Sequence, residues 1–171
     1  MPFQATAVAN EFLTIAKAEG EDLTPMKVQK LVYFAHGWFL ALTGQPLISD
    51  RIQAWQYGPV IPSLYQAFRE YGNTPIGTPA FAPAQIGGRY TWSVPTLEST
   101  CPNREEISRA RQVIKKVWDL YKGYTSIRLS NATHAPDGPW AQVYKEGVRS
   151  IPIPDEKIKA YFQGLASVAR K

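Results

Sequence analysis

Cysteine and histidine are the side chains of this chain that could supply a nucleophile and its base. The sequence contains one cysteine, Cys101, and two histidines, His36 and His134. A thiol close to a helix N-terminus is readily ionised, and a histidine can act as its base. No local signature of a cysteine hydrolase surrounds Cys101, and a lone cysteine behaves most often as a small apolar residue. We therefore assign no catalytic residue, and an enzyme that depends on cysteine and histidine stays as an alternative.

Metal and phosphate chemistry have no support in the spacing of the residues. A metal needs three or four placed ligands, and the sequence has neither an H-x-x-x-H nor a C-x-x-C pair. The Gly87-Gly88 pair precedes a predicted strand instead of opening a helix, so it does not predict a phosphate-binding loop. We predict no metal and no cofactor.

Charge and composition are typical of a globular protein, and the mild positive charge is compatible with nucleic acid, with an acidic protein partner, or with no specific partner. The 171 residues carry a formal charge of +5, and 12% of them are aromatic. There is no tract rich in lysine and arginine, which argues against nucleic acid. A basic stripe on one long helix is interpreted as a solvated face; it comprises Arg104, Arg111, Lys115 and Lys122. The chain begins without the pattern of a signal peptide and has no apolar run of about 18 residues, so we expect a cytoplasmic protein with no membrane contact.

Periodicity and capping residues predict the elements that would position these side chains. Apolar spacing predicts helices over about 4–18, 25–43, 62–71, 103–123, 126–134 and 140–144, and a last one from Asp155. The segments RIQAWQY and RYTWSV are predicted to be strands that pair with each other. Residues 73–88, rich in proline and glycine, are predicted to form a surface loop. The expected fold is therefore a single domain over 1–171, mainly α with a small antiparallel sheet of two or three strands.

The second predicted helix should lie at the centre of that fold. Thr24 followed by Pro25 is a helix start, Gly44 is a helix end, and the helix between them is apolar on most sides. His36 within it is interpreted as a core histidine with satisfied hydrogen bonds. Gly37 costs a helix about 1 kcal/mol relative to alanine, which indicates close packing or the approach of a partner.

The segment AWQYGPVIPSLYQAF could form either a structural turn or a surface that binds a partner. Gly58-Pro59 is predicted to turn a strand into the next helix, because glycine accepts unusual dihedral angles and proline fixes its own φ. Trp55 and Tyr57 are large enough to anchor either a core or an interface. We interpret this segment mainly as a structural turn, with a recognition surface as the second interpretation.

These motifs together resemble the Panacea domain, also called the SocA-like or phage-associated GepA-like domain. The resemblance is carried by LTPMKVQKLVYFAHGW, by AWQYGPVIPSLYQAF, and by the later LSNATHAPDGPW. Several linked motifs in this order are more specific than a single short pattern. The match runs from about residue 5 to residue 162 and leaves the proline- and glycine-rich loop as its variable part.

The resemblance implies an antitoxin that is not an enzyme and that neutralises a protein toxin encoded by an adjacent gene. A host protease would be a further partner if the toxin is handed over for degradation. A prophage or host factor that binds nucleic acid is a third reading. The motif positions, which are also the candidates for partner contact, are Lys30, Tyr33, His36, Gly37, Trp38, Trp55, Tyr57, Gly58, Pro59, His134, Pro139 and Trp140.

Overall fold

The chain was analysed as a computed structural model, which describes residues 1–170. Its helices are α1 (Ala5–Ala18), α2 (Pro25–Thr43), α3 (Pro62–Phe68), α4 (Leu97–Thr100), α5 (Arg104–Tyr121), α6 (Ser126–Ala132), α7 (Pro139–Val143) and α8 (Asp155–Ala169), with a 3₁₀ turn at Arg69–Tyr71. Its strands are β1 (Gln53–Trp55), β2 (Gly58–Val60), β3 (Ala82–Ile86), β4 (Arg89–Ser93) and β5 (Ile151–Pro152). The prediction of a mainly helical α+β fold with a small antiparallel sheet is confirmed.

Helix α2 lies at the centre of the molecule, as predicted. The Thr24 hydroxyl accepts a hydrogen bond from the Lys27 amide, and Gly44 ends the helix with a φ of 74°. Between these ends the helix packs against α1, α5, α6 and α8. A helix covered on several sides must be apolar on several sides, which explains its nearly continuous burial from Val28 to Leu40.

A three-stranded sheet with the order β2-β1-β5 lies beside α2. Strands β1 and β2 form a tight antiparallel hairpin in which Trp55 is opposite Gly58, so Gln56 and Tyr57 make the turn. The prediction that Gly58-Pro59 is itself the turn is therefore wrong: both residues belong to β2, and the chain reverses just before them. Strand β5 completes the sheet by pairing with β1 on the other side.

The second sheet differs from the sequence prediction. RYTWSV contains a strand, β4, but β4 pairs with β3 and not with β1. Strand β3 lies at 82–86, so the prediction of an irregular loop over 73–88 is wrong for that part. Asn10 on α1 fixes both ends of this hairpin, because its buried side-chain amide donates to the carbonyls of Ala80 and Pro95 and accepts from the Ala80 amide. The outer residues of the hairpin remain exposed.

The remaining helices begin close to where their capping residues predict. The Asn103 side chain accepts hydrogen bonds from the Glu105 and Glu106 amides at the start of α5. Helix α6 begins at Ser126, as predicted, and the hydroxyl of Thr125 caps it by accepting a hydrogen bond from the Arg128 amide. Among residues 1–170, no helix is both long enough and apolar enough to cross a membrane.

Candidate functional site

The β1–β2 turn is held by a buried lysine from α2. The Lys30 side chain is 2% exposed, and its Nζ donates hydrogen bonds to the carbonyls of Tyr57 at 3.2 Å and Pro59 at 3.0 Å. No carboxylate forms an ion pair with it among the described residues, and burial lowers the pKa of Lys30 to about 7. An amine with this pKa can donate both hydrogen bonds without carrying a charge.

Glycine is required at position 58 by the same contact. Gly58 has a φ of 109°, in a region that side chains rarely adopt. A Cβ on Gly58 would lie 2.7 Å from the Lys30 Nζ and 2.8 Å from the Thr133 Oγ1. Position 58 therefore has no room for a side chain, because Lys30 and the end of α6 approach the backbone there.

The segment from α6 to α7 holds the other side of the turn. The Ser130 hydroxyl donates to the Tyr57 carbonyl at 3.1 Å, and the Trp140 indole donates to the Trp55 carbonyl at 2.7 Å. We call Lys30, Ser130 and Trp140, together with the carbonyls that they bind, the corner clamp. The clamp joins α2, α6 and α7 to one hairpin, although these elements are far apart in sequence.

His134 supports the corner clamp without contributing to a catalytic arrangement. Its Nδ1 lies 2.6 Å from the Ser130 carbonyl. A carbonyl only accepts, so Nδ1 carries a proton and donates it. The ring also packs edge-on against Trp140, with the ring centroids 4.3 Å apart. Pro139 begins α7 and is buried beside Trp140.

His36 is a core histidine with both ring nitrogens satisfied, in agreement with the sequence interpretation. Its Nδ1 accepts a hydrogen bond from the Ile48 amide at 3.3 Å, and its Nε2 lies 3.0 Å from Asp155 Oδ1. Because an amide N–H can only donate, the proton of the neutral ring lies on Nε2 and is donated to the carboxylate. The imidazole thereby connects α2 to the loop after it and to the first residue of α8.

The rest of the YFAHGW motif forms the contact between α2 and α8. A Cβ on Gly37 would overlap the ring of Phe162 on α8. Tyr33 and Trp38 pack edge-on against the same ring, with centroids 5.9 Å and 5.2 Å away. Close packing, one of the two reasons considered from the sequence, accounts for Gly37.

A groove opens on the outer side of the corner clamp. Its volume is about 940 Å³. The exposed ring of Tyr57 and the half-buried ring of Trp55 lie on one side of it. The lining residues are Pro25, Met26, Gln29, Lys30, Trp55, Gln56, Tyr57, Val60, Leu64, Tyr65, Arg69, Gly72, Asn73, Tyr144, Gly147, Val148, Arg149 and Ser150. Two motif positions, Trp55 and Tyr57, therefore offer side-chain surface that a partner can reach, whereas Lys30 borders the groove but is buried.

Neither histidine forms a hydrogen bond with Cys101. Its side chain is buried and its Sγ donates to Glu106 Oε2 at 3.2 Å. The same carboxylate binds the N-terminal amine of Met1 at 2.6 Å. The described residues thus provide no arrangement in which the thiol has a histidine as its base, and the cysteine–histidine alternative loses its geometric support.

The basic stripe of α5 is engaged by acidic residues. Arg111 binds Glu11 at 2.8 Å, and both Lys115 and Lys122 bind Glu19, at 3.3 Å and 2.8 Å. These pairs connect α5 to α1 across the surface. The stripe is exposed, in agreement with its interpretation as a solvated face, and three of its four residues are paired with Glu11 or Glu19.

Sequence reasoning missed two buried side-chain amides that fix the backbone, one beside the site and one at the β3–β4 hairpin. The Gln29 side chain makes two hydrogen bonds of 2.9 Å to the backbone of Ile61, one from its nitrogen and one to its oxygen. Asn10 anchors the β3–β4 hairpin in the same way. A polar residue on the apolar face of a predicted helix is the signal that could have found them, because a buried amide must have partners.

These features define a helical α+β protein in which motif residues clamp a strand corner beside an open groove. The model of the family described as Antitoxin SocA-like, Panacea domain, matches residues 28–141, and the chain belongs to this family. A curated relative, the protein named Antitoxin SocA from Caulobacter vibrioides (strain NA1000 / CB15N), is 32% identical over 136 residues. The alignment covers 80% of this chain and 68% of that relative. Comparison with solved structures finds no significant match.

Proposed function

We propose that this chain is a cytoplasmic antitoxin that neutralises a protein toxin, encoded by an adjacent gene, through direct protein–protein contact. The observation that carries the proposal is membership of the SocA-like family, together with a relative that is itself named an antitoxin. The function requires no bond-making centre. The hydrogen bonds of Cys101, His36 and His134 are consistent with this, because each side chain has a structural partner.

The face that contains the groove has features suited to a protein partner. The exposed rings of Tyr57 and Tyr65 are 69% and 45% accessible and lie beside the partly covered ring of Trp55. Aromatic side chains in concave surroundings supply much of the binding energy of protein interfaces. The other motif positions, Lys30 among them, contribute to binding by holding this face in shape.

Co-expression with the adjacent gene tests the proposal. The product of that gene should arrest growth when expressed alone, and co-expression of this chain should relieve the arrest. The two proteins should elute together in size-exclusion chromatography. A chain that leaves growth arrested while it is folded and abundant would contradict the proposal.

Two controls separate neutralisation by contact from the other readings. The Cys101→Ala variant should relieve the arrest as well as the wild type does, whereas a cysteine-dependent enzyme would lose its effect. Toxin abundance should be followed in cells with and without their ATP-dependent proteases. A toxin that stays at a constant level indicates sequestration, and one that disappears only when the proteases are present indicates handover.

A further inference from the structure

The charge of the groove has a single sign. The exposed cations that line it are Arg69 and Arg149, and none of the described lining residues is an aspartate or a glutamate. The Lys30 amine also borders the groove, but it is buried and bound to the carbonyls of Tyr57 and Pro59. Arg69 and Arg149 are exposed and take part in none of the ion pairs formed within residues 1–170. A concave surface with cations on low-polarity walls concentrates positive potential and attracts anionic groups.

The walls between these cations are apolar and aromatic. Trp55 and Tyr65 pack edge-on with ring centroids 5.0 Å apart. Met26, Tyr57 and Val148 add exposed apolar surface around the same groove. An occupant must therefore present carboxylates and apolar side chains together, since a simple anion would leave these walls uncovered.

The groove has room for a short segment of chain. Its volume, about 940 Å³, lies near the upper end of the range of roughly 300–1,000 Å³ that is usual for ligand pockets. The hairpin turn at 56–57 lines one part of the groove and the loop at 147–150 another. A short extended peptide can contact both.

We propose that the groove binds an acidic segment of the toxin, in which aspartate or glutamate residues alternate with apolar ones. The proposal rests on the proposed antitoxin function and adds the chemistry of the partner. Aromatic and cationic side chains also occur together in sites for single-stranded nucleic acid. A peptide fits better here, because single-stranded nucleic acid is usually held along a continuous basic groove, whereas the exposed cations among the described lining residues are two, Arg69 and Arg149.

Charge reversal at two exposed positions tests the assignment. In the full chain, Arg69→Glu combined with Arg149→Glu should weaken binding of the purified toxin by about tenfold or more, because like charges would then face each other. The matched control combines Arg104→Glu with Lys116→Glu on the exposed face of α5 and changes net charge equally. The control should bind as the wild type does once salt is set near physiological strength. All four positions are exposed, so circular dichroism and thermal melting should show folded proteins.

A conservative variant provides a second readout. Arg69→Lys keeps the positive charge and introduces an amine that a carbodiimide can couple to a carboxylate. We expect this variant to bind normally and to cross-link to an aspartate or glutamate of the toxin, at a position that mass spectrometry identifies. Wild-type binding should weaken as salt is added, because the exposed charges at the groove are screened.

The outcomes separate this inference from the function on which it rests. If the wild type binds the toxin and the groove reversal binds equally well, the groove assignment is overturned and the antitoxin function stands. If the wild type does not bind the toxin, both are overturned. If oligo-dT binds the wild type as tightly as the toxin does and competes with it, the acidic-segment assignment is overturned in favour of nucleic acid.

Discussion

Replacement of Lys30 by methionine should remove a specific pH dependence from the stability of the protein. Burial lowers the pKa of Lys30 to about 7 in the folded chain, whereas the reference value is 10.5. Below pH 7 the amine is protonated in both the folded and the unfolded chain. Between pH 7 and about 10 the folded chain releases this proton and the unfolded chain keeps it, so the free energy of unfolding rises with pH.

The magnitude follows from the size of the pKa difference. One proton released on folding changes the free energy of unfolding by about 1.4 kcal/mol per pH unit. Between pH 7 and pH 9 the wild type should gain about 2 kcal/mol relative to Lys30→Met, after allowance for partial protonation near pH 7. The comparison ends at pH 9 because the unfolded chain also begins to release the Lys30 proton as the pH approaches 10.5, and the difference then stops growing.

Urea denaturation followed by tryptophan fluorescence at several pH values measures this difference directly. Contributions from other titrating groups cancel when the variant is subtracted from the wild type, because both proteins contain them. Lys116→Met, on the exposed face of α5, serves as the control for the loss of one lysine. A constant difference between wild type and Lys30→Met from pH 7 to pH 9 would refute the reasoning, since it would mean that the amine keeps its proton inside the fold.

Three further predictions concern packing, buried amides and surface charge. Gly37→Ala should destabilise the protein by roughly 1–3 kcal/mol in urea denaturation, because its methyl group overlaps Phe162, whereas Gly164→Ala in open space on α8 should stabilise it by up to about 1 kcal/mol. Asn10→Leu should increase amide hydrogen exchange in the β3–β4 hairpin and cost roughly 1–3 kcal/mol for each buried group left unpaired; exchange equal to that of the wild type would contradict the anchoring role. Arg111→Met should cost less than about 1 kcal/mol in thermal melting despite its two carboxylate partners, because exposed ion pairs contribute little.

The helices could be predicted from sequence because their signals are local. Thr24, Gly44 and Asn103 act within one turn of the helix that they begin or end, and a repeat of 3.6 residues marks the buried face. The pairing of the strands could not be predicted in this way. β1 has its partners at β2, immediately after it, and at β5, which is nearly one hundred residues later, and no short-range pattern distinguishes these from β4.

In the candidate site as well, local features could be predicted from the sequence, whereas contacts between distant segments could not. The sequence indicated that Lys30, Gly58 and Trp140 belong to linked motifs, but not that they meet at one corner. It also placed Gly58-Pro59 at the turn itself, because a glycine followed by a proline commonly marks one. The structure instead uses Gly58 for its bare backbone next to the lysine amine. The groove depends on Arg69 and Arg149, which come from a helix end and a loop that carry no motif.

The corner clamp separates what makes this chain recognisable from what lets it choose a partner. Its side chains form hydrogen bonds to backbone carbonyls inside the molecule. They therefore identify the fold from the sequence but say little about which partner the protein binds. Arg69 and Arg149, at the rim of the groove, form no ion pairs within the described residues. If the groove binds the toxin as proposed, exchange of residues 69 and 147–150 between relatives should transfer the choice of toxin while the framework stays intact, and new specificities could arise by changing a few exposed positions.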